Sequence, residues 1–260
     1  MEKNIDNEAK DEVLTGHKPI PMNIANKVMK SICKIIIFNN SGNNSLGTGF
    51  FLRITDSLKC FITNYHVLNP VLIHFDIEIE IWNKEKMILK ENDFYIKYFE
   101  KPKDITIMII KDLEDMKKNI EFLDYDANYS QKGYLIYKGA DVFSIHHPFG
   151  DDAVCASGKI ISINGYEFDH KIPTEEGSSG CPIILLNNNI NFVQVIKKGN
   201  KKNHINSGTF IGEIINEINN DLNINLNYNP NNDIVKELNK SENIIQKKKE
   251  IPNKKIQDNN

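Results

Sequence analysis

The clearest pattern along the chain is a period of two. Ile73, Phe75, Ile77, Ile79 and Ile81 alternate with His74, Asp76, Glu78 and Glu80. Successive strand side chains point to opposite faces, so this spacing predicts a strand with one wet face. Short apolar runs bounded by polar or turn-forming residues predict further strands at 34–38, 47–53, 59–63, 86–89, 94–99 and 105–110. A stretch near 112–132, rich in Asp, Glu, Lys and Asn, interrupts the series. It resumes at 134–137, 141–145, 154–163, 182–186, 191–196 and 208–211. Two segments follow helical spacing instead. Ile24, Val28, Met29 and Ile32 share one face of 21–33, and Ile211, Ile214, Ile215, Ile218 and Leu222 recur in the same way. About a dozen short strands split by one break predict an all-β chain of two six-stranded antiparallel barrels with a C-terminal helix.

The domain expected from this pattern covers 20–228. Its first barrel runs over about 33–115, its second over about 130–212, and the helix over about 211–222. Residues 1–19 are charged and 229–260 are rich in Asn and Lys. Both are expected to be disordered; the tail cannot bury enough apolar surface to fold alone and is expected to be dispensable for chemistry.

Composition narrows the function classes. The chain has 260 residues, 40% hydrophobic and 26% charged, which is enough apolar material for a packed core. The formal net charge of −3 gives no whole-chain attraction to nucleic acid or to a membrane, and neither is expected as a partner. A weaker nucleic-acid reading rests on Lys247-Lys248-Lys249 in the tail alone. No apolar run approaches the ~20 residues of a membrane-spanning helix. The start of the chain is acidic and polar, without the apolar core of a secretory signal. Cys33, Cys60, Cys155 and Cys181 show no metal-ligand spacing. Reduced thiols, an intracellular, cytoplasmic setting, and no metal or cofactor are the expectations.

The chemistry concentrates in Gly177-Ser178-Ser179-Gly180-Cys181-Pro182. A serine among small, turn-forming residues lets the backbone aim its N–H groups at the atom that the hydroxyl attacks. Gly-Ser runs also mark ordinary loops. Two upstream features add weight: Thr63-Asn64-Tyr65-His66 after one apolar run, and Asp104 opening another. Serine is a poor nucleophile until a base takes its proton, and an imidazole near neutrality can accept and return one. A carboxylate on the far ring nitrogen fixes the tautomer. The order His66, Asp104, Ser179 is that of the chymotrypsin-type triad. Ser178 and Asp93 are rival candidates. The run 105–110 favours Asp104, because a buried strand places its first residue at the domain interface.

On these residues the chain resembles the trypsin-like, chymotrypsin-fold serine peptidases. The nearest branch is that of the high-temperature-requirement proteases and bacterial glutamyl endopeptidases. The resemblance rests on Gly47-Thr48-Gly49-Phe50-Phe51, Phe61 to His66, Asp104 to Ile107, and Gly177 to Pro182. His147-Pro148-Phe149-Gly150 with Ser157-Gly158-Lys159-Ile160, and Ser207-Gly208-Thr209-Phe210, add weaker support. Together they span roughly residues 30 to 222 in family order. The resemblance implies a serine endopeptidase acting on proteins or peptides through an acyl-enzyme. Ser179 is its nucleophile, selected over Ser178 by its place before the second glycine, His66 its base and Asp104 its orienter. The backbone N–H groups of Gly177 and Ser179 form its oxyanion hole.

Departures bear on specificity. Val67 replaces the cysteine that secreted trypsins carry beside the catalytic histidine, and Pro173 holds the position of their specificity aspartate. The segment 193–199 lacks the histidine of glutamyl endopeptidases. Thr174, Ile196, Lys197 and Lys198 are the candidate pocket walls, and the lysines either favour an acidic side chain or are simply solvated. Glu175 and Glu176 repel an oxyanion, select basic substrates, or are solvated, with the last the commoner case. His147 is expected to be structural, and His170, shortly before Ser179, is a candidate cleft residue. The alternative function is an inactive or weakly active binding module of the same fold. The oligomeric state is not readable.

Overall fold

The computed structural model describes residues 19–38, 44–112, 119–126, 132–186, 194–196 and 205–221. The N-terminal segment before 19, the tail after 221, and Lys197 and Lys198 lie outside the described residues. Among those described, no helix is long and apolar enough to cross a membrane.

Helix α1 (Met22–Met29) starts where the Pro21 carbonyl accepts the N–H groups of Ile24 and Ala25, and it buries Ala25 and Val28. It ends sooner than its spacing predicts. Ile32 and Cys33 join the β-branched run of the first strand, where ladder bonds and packing outweigh a helical continuation.

The first lobe contains β1 (Ile32–Phe38), β2 (Ser45–Arg53), β3 (Lys59–Thr63), β4 (Asp76–Ile81), β5 (Lys86–Leu89), β6 (Phe94–Phe99), β7 (Ile105–Ile110) and β8 (Leu123–Asp124). The order is β5-β4-β1-β2-β3-β7-β6, with β8 pairing parallel to β2. This sheet has eight strands where six were expected, and β5 and β6 end its path. Leu89 of β5 and Phe94 of β6 nevertheless share one core with Ile35, Phe51, Phe61, Ile79 and Met108, so the sheet curls on itself. The alternating segment behaves as read: Ile77, Ile79 and Ile81 face inward. Its start does not, because the Asn69 side chain accepts the N–H groups of Val71 and Leu72 and winds Leu72–His74 into a 3₁₀ turn.

The second lobe contains β9 (Asp141–His146), β10 (Val154–Asn164), β11 (Glu167–His170), β12 (Pro182–Leu185), β13 (Gln194–Ile196) and β14 (Asn206–Phe210). They close into a six-stranded barrel in the order β10-β11-β14-β13-β12-β9 around Val142, Ile160, Phe168, Ile183 and Phe210. Two expectations need correction here. Tyr134–Tyr137 is a 3₁₀ helix, not a strand. Its three-residue period puts Tyr134 and Tyr137 on one side, stacked and tilted against Phe210 at 4.3 and 5.6 Å, and leaves Leu135 exposed. Strand β11 was not anticipated. It folds back from β10 through the two-residue turn Gly165-Tyr166, with Gly165 at φ +61° in the first turn position.

A third core fills the seam between the lobes. Phe50, Leu52, Ile62 and Ile107 from the first meet Phe143, Ile145 and Ile184 from the second. Helix α2 (Ile211–Asp221) contributes Ile211, Ile214, Ile215 and Ile218 to this seam, so it packs against both lobes. Lys103, just before Asp104, pairs with Glu213 and Glu217 on that helix.

Two fully buried histidines make the fold sensitive to acid. Burial, reinforced by neighbouring His147, pushes His146 down to about 4, and burial pushes His170 down to about 3. Both rings are neutral in the folded chain, while an unfolded histidine takes up a proton near ~6.5. Stability is therefore complete above that pH and is lost as pH falls toward 4. The expected loss is about 2 kcal/mol per histidine at pH 5. Urea unfolding at pH 7.5 and 5.0 measures it. His170→Phe should shrink the difference, and an unchanged difference contradicts this account.

Candidate active site

His66 follows the end of β3, and its position is set by a single partner. Asp104 Oδ1 accepts the His66 backbone N–H at 3.0 Å, and Oδ2 lies 2.7 Å from His66 Nδ1. The Asp104 carbonyl accepts from Asn64 Nδ2 at 2.7 Å and from the Tyr65 N–H at 3.1 Å. Four consecutive points thus clamp the 64–66 segment to one residue. Asp104 adopts φ +56°, a conformation that short polar residues tolerate better than most. Its side chain is 5% exposed and that of His66 is 35% exposed. A carboxylate against Nδ1 makes that nitrogen the donor, so Nε2 carries the lone pair. Asp93, the rival, lies exposed in a 3₁₀ turn where β6 begins, at the opposite end of the β6–β7 ladder from Asp104.

The serine loop crosses from the second lobe to the first. Ser178 is buried, and its Oγ accepts the Glu175 N–H at 3.1 Å, which gives it a structural task. Ser179 is half-buried, and its carbonyl accepts the Thr48 N–H at 2.8 Å. Gly177 and Gly180 have φ of +86° and +90°. A Cβ on Gly180 would collide with the Thr48 carbonyl and Thr63 Oγ1, and it would lie 3.2 Å from the Asn64 nitrogen. This close approach brings the residue after Ser179 against the segment that carries His66. The Ser178 and Cys181 N–H groups are bonded within the loop, whereas those of Gly177 and Ser179 have no backbone partner among the described residues. Among those residues no hydrogen bond joins Ser179 Oγ to His66, as is common before a substrate tightens such a site.

Thr48 is the residue whose importance the sequence did not expose. Its N–H holds the Ser179 carbonyl, its Oγ1 donates to the Gly177 carbonyl at 2.8 Å and accepts the His147 N–H at 3.2 Å, and its carbonyl accepts from Thr63 Oγ1. The only signal was its place in Gly47-Thr48-Gly49. Thr48→Val keeps the shape and leaves the Gly177 carbonyl and the His147 N–H unpaired. We expect a loss of about 1–3 kcal/mol of stability, read by denaturant unfolding. Unchanged stability would remove Thr48 from the site.

The remaining expectations distribute as follows. Thr174 is half-buried just ahead of the loop. Ile196 ends β13, paired with Gly208. Glu175 and Glu176 are exposed, and the Glu176 carbonyl accepts the Phe149 N–H at 2.5 Å. His147 donates from Nδ1 to the Asp151 carbonyl at 2.9 Å, given the neutral ring that burial favours. His170 is 0% exposed and belongs to the barrel interior, not to a cleft surface. Its Nδ1 accepts the Ile172 N–H at 3.2 Å, and its Nε2 has no partner among the described residues. Among the described residues no three His, Cys, Asp or Glu side chains are grouped to hold a metal ion.

No protein-family model matches the chain, and no curated protein matches it. Solved structures do. The crystal structure of Rv3671c protease in its inactive form is 17% identical with a TM-score of 0.54, covering 79% of this chain and 98% of that one. The active form, from M. tuberculosis, is also 17% identical with a TM-score of 0.54, covering 77% and 86%. At that identity the similarity speaks for the fold, and with the two curled sheets it establishes a chymotrypsin-like double-barrel architecture.

Proposed function

We propose that the protein is a serine endopeptidase that cleaves proteins or peptides without a cofactor. The observation that carries this reading is the two-point grip of Asp104 on His66; the approach of Gly180 to the Asn64 nitrogen, and Gly177 and Ser179 N–H groups without a backbone partner among the described residues, support it. The proteases that share its fold support it. His66 Nε2 takes the Ser179 proton as Oγ attacks the scissile carbonyl, and the N–H groups of Gly177 and Ser179 receive the developing oxyanion. The imidazolium, held by Asp104, protonates the leaving amine. Water, deprotonated by His66, then cleaves the acyl-enzyme. A fluorophosphonate probe tests the reading. Wild type should label at Ser179, mapped by peptide mass spectrometry, and Ser179→Ala should not. Labelling at another residue, or none under native conditions, defeats it and leaves the binding-module alternative.

Thiol chemistry supplies an independent check. All four cysteines are free. Burial pushes the Cys181 thiol up to about 12 and also raises Cys33 and Cys60. Ser144 Oγ lies 3.1 Å from Cys181 Sγ, inside the second lobe. Thiolates, not thiols, react. Iodoacetamide at pH 8 should therefore modify only exposed Cys155 and leave Ser179 labelling intact. Loss of labelling on modification of Cys181 would point to thiol chemistry instead.

A further inference from the structure

A cavity of about 230 Å³ opens in the seam between the lobes and includes none of His66, Asp104 or Ser179. Its wall is aliphatic where Ile32, Ile81 and Ile145 meet, and Trp82 flanks it. Its polar side is unusual. His147 is 8% exposed, and its ring already donates from Nδ1 to the Asp151 carbonyl. Burial lowers its pKa, so the ring is neutral and Nε2 is an acceptor. Glu80 is 9% exposed, and its Oε1 takes both Lys34 at 3.3 Å and Lys84 at 3.5 Å. Lys84 also reaches Asp152 across the seam.

Among the described residues the polar groups here without a protein partner are acceptors: His147 Nε2 and the second oxygen of Glu80 within the cavity, and the second oxygen of Asp152, 87% exposed, at its mouth. A ligand that satisfies them must donate. A cation is favoured further by the indole of Trp82, which already holds Lys30 Nζ 5.5 Å from its centroid. The volume falls below the ~300 Å³ at which drug-sized pockets begin, so the apolar part is short. Of the two ammonium groups at Glu80, that of Lys34 ends a side chain only 13% exposed, whereas Lys84, which also reaches Asp152, has a side chain 60% exposed on a turn at φ +64°.

We propose that the seam cavity binds a small alkylammonium, a primary ammonium on a short branched aliphatic body, which displaces Lys84 from Asp152. Its occupancy is felt at the serine loop. The His147 N–H bonds Thr48 Oγ1, which donates to the Gly177 carbonyl. The His147 carbonyl lies so near Gly177 that a Cβ there would strike it at 2.5 Å. This second part rests on the serine-peptidase reading, and the binding part does not.

Isoamylamine, isoamyl alcohol and isovalerate share a skeleton and differ in charge, so they make the test. Each is titrated into the full chain while the δ1-methyl resonances of Ile32, Ile81 and Ile145 are followed. Only the amine should saturate. Lys84→Met, which removes the competing ammonium at an exposed position, should tighten the amine severalfold, and Asp152→Asn should weaken it. If Lys84→Met does not fold, Lys84→Gln serves. Equal binding of the alcohol, or no effect of the Lys84 change, overturns the site. Saturating amine should change the rate of fluorophosphonate labelling by about fivefold or more; an unchanged rate overturns the coupling. If Ser179 never labels, the peptidase reading fails while the methyl titration still decides the site. Leucyl-triglycine with a free or acetylated N-terminus separates the two sources of such a cation. Tighter binding of the free peptide than of isoamylamine identifies a polypeptide N-terminus, and weaker binding a free amine.

Discussion

Ser179→Ala, His66→Ala and the double variant are expected to lose the same activity, on the order of 10⁴–10⁶ in kcat. The physical reason is that neither group works alone. A serine hydroxyl without a base is no better a nucleophile than water, and a base without the hydroxyl has nothing to activate. The structure favours a clean measurement. Ser179 is anchored through its backbone carbonyl on Thr48, so removing Oγ leaves the loop in place. His66→Ala is less neutral. It leaves Asp104 Oδ2, in a side chain only 5% exposed, without its ring partner, while Oδ1 keeps the backbone N–H. A stability loss of about 1–3 kcal/mol is expected for that variant, so activity is compared where both variants are shown folded by circular dichroism. Losses that add in the double variant would show that the two residues act independently, and the triad would be wrong.

Asp104→Asn is expected to cost about 10⁴ in kcat with little change in fold. Asparagine tolerates the φ of +56° that Asp104 adopts, and its side-chain oxygen can still accept the His66 backbone N–H. The amide cannot serve both contacts in the same way. With its oxygen on the backbone N–H, its NH₂ faces Nδ1. That nitrogen must then accept, and the proton moves to Nε2, where the base is needed. Steady-state kinetics on a peptide substrate, with thermal unfolding alongside, separates this from misfolding. A variant with near-wild-type kcat would show that Asp104 only shapes the 64–66 segment. One that unfolds would show that the negative charge itself supports the fold.

The sequence made the body of the protein legible in those places where local physics suffices. The alternation at Ile77, Ile79 and Ile81 emerged as an inward face because a strand's period depends on the backbone alone. Tyr134–Tyr137 shows the limit of that reasoning. Its apolar and aromatic content fits a strand, yet stacking of Tyr134 on Phe210, a residue far along the chain, selects a 3₁₀ turn. The polar residues of Glu167–His170 hide a strand from its sequence, although Gly165 at the first position of the turn is a hairpin signal. His170 looked like a cleft residue by its distance in sequence from Ser179. The barrel instead turns its ring inward beside Phe168, at 5.9 Å.

The division within the candidate site follows the same physics. Sequence alone determined the candidates His66, Asp104 and Ser179 with their order, the special backbone of Gly177, and the two-barrel class, because these depend on residue chemistry and on short-range backbone preference. Tertiary structure brought Asp104, which the sequence favoured over Asp93, against His66, and it alone decided that Thr48 joins the lobes. It also placed α2 in the seam and brought Lys84, Asp152 and His147 around one cavity. Each of these is a contact between residues distant in the chain. No local preference encodes such contacts, which arise only when two independently curled sheets pack their outer faces together.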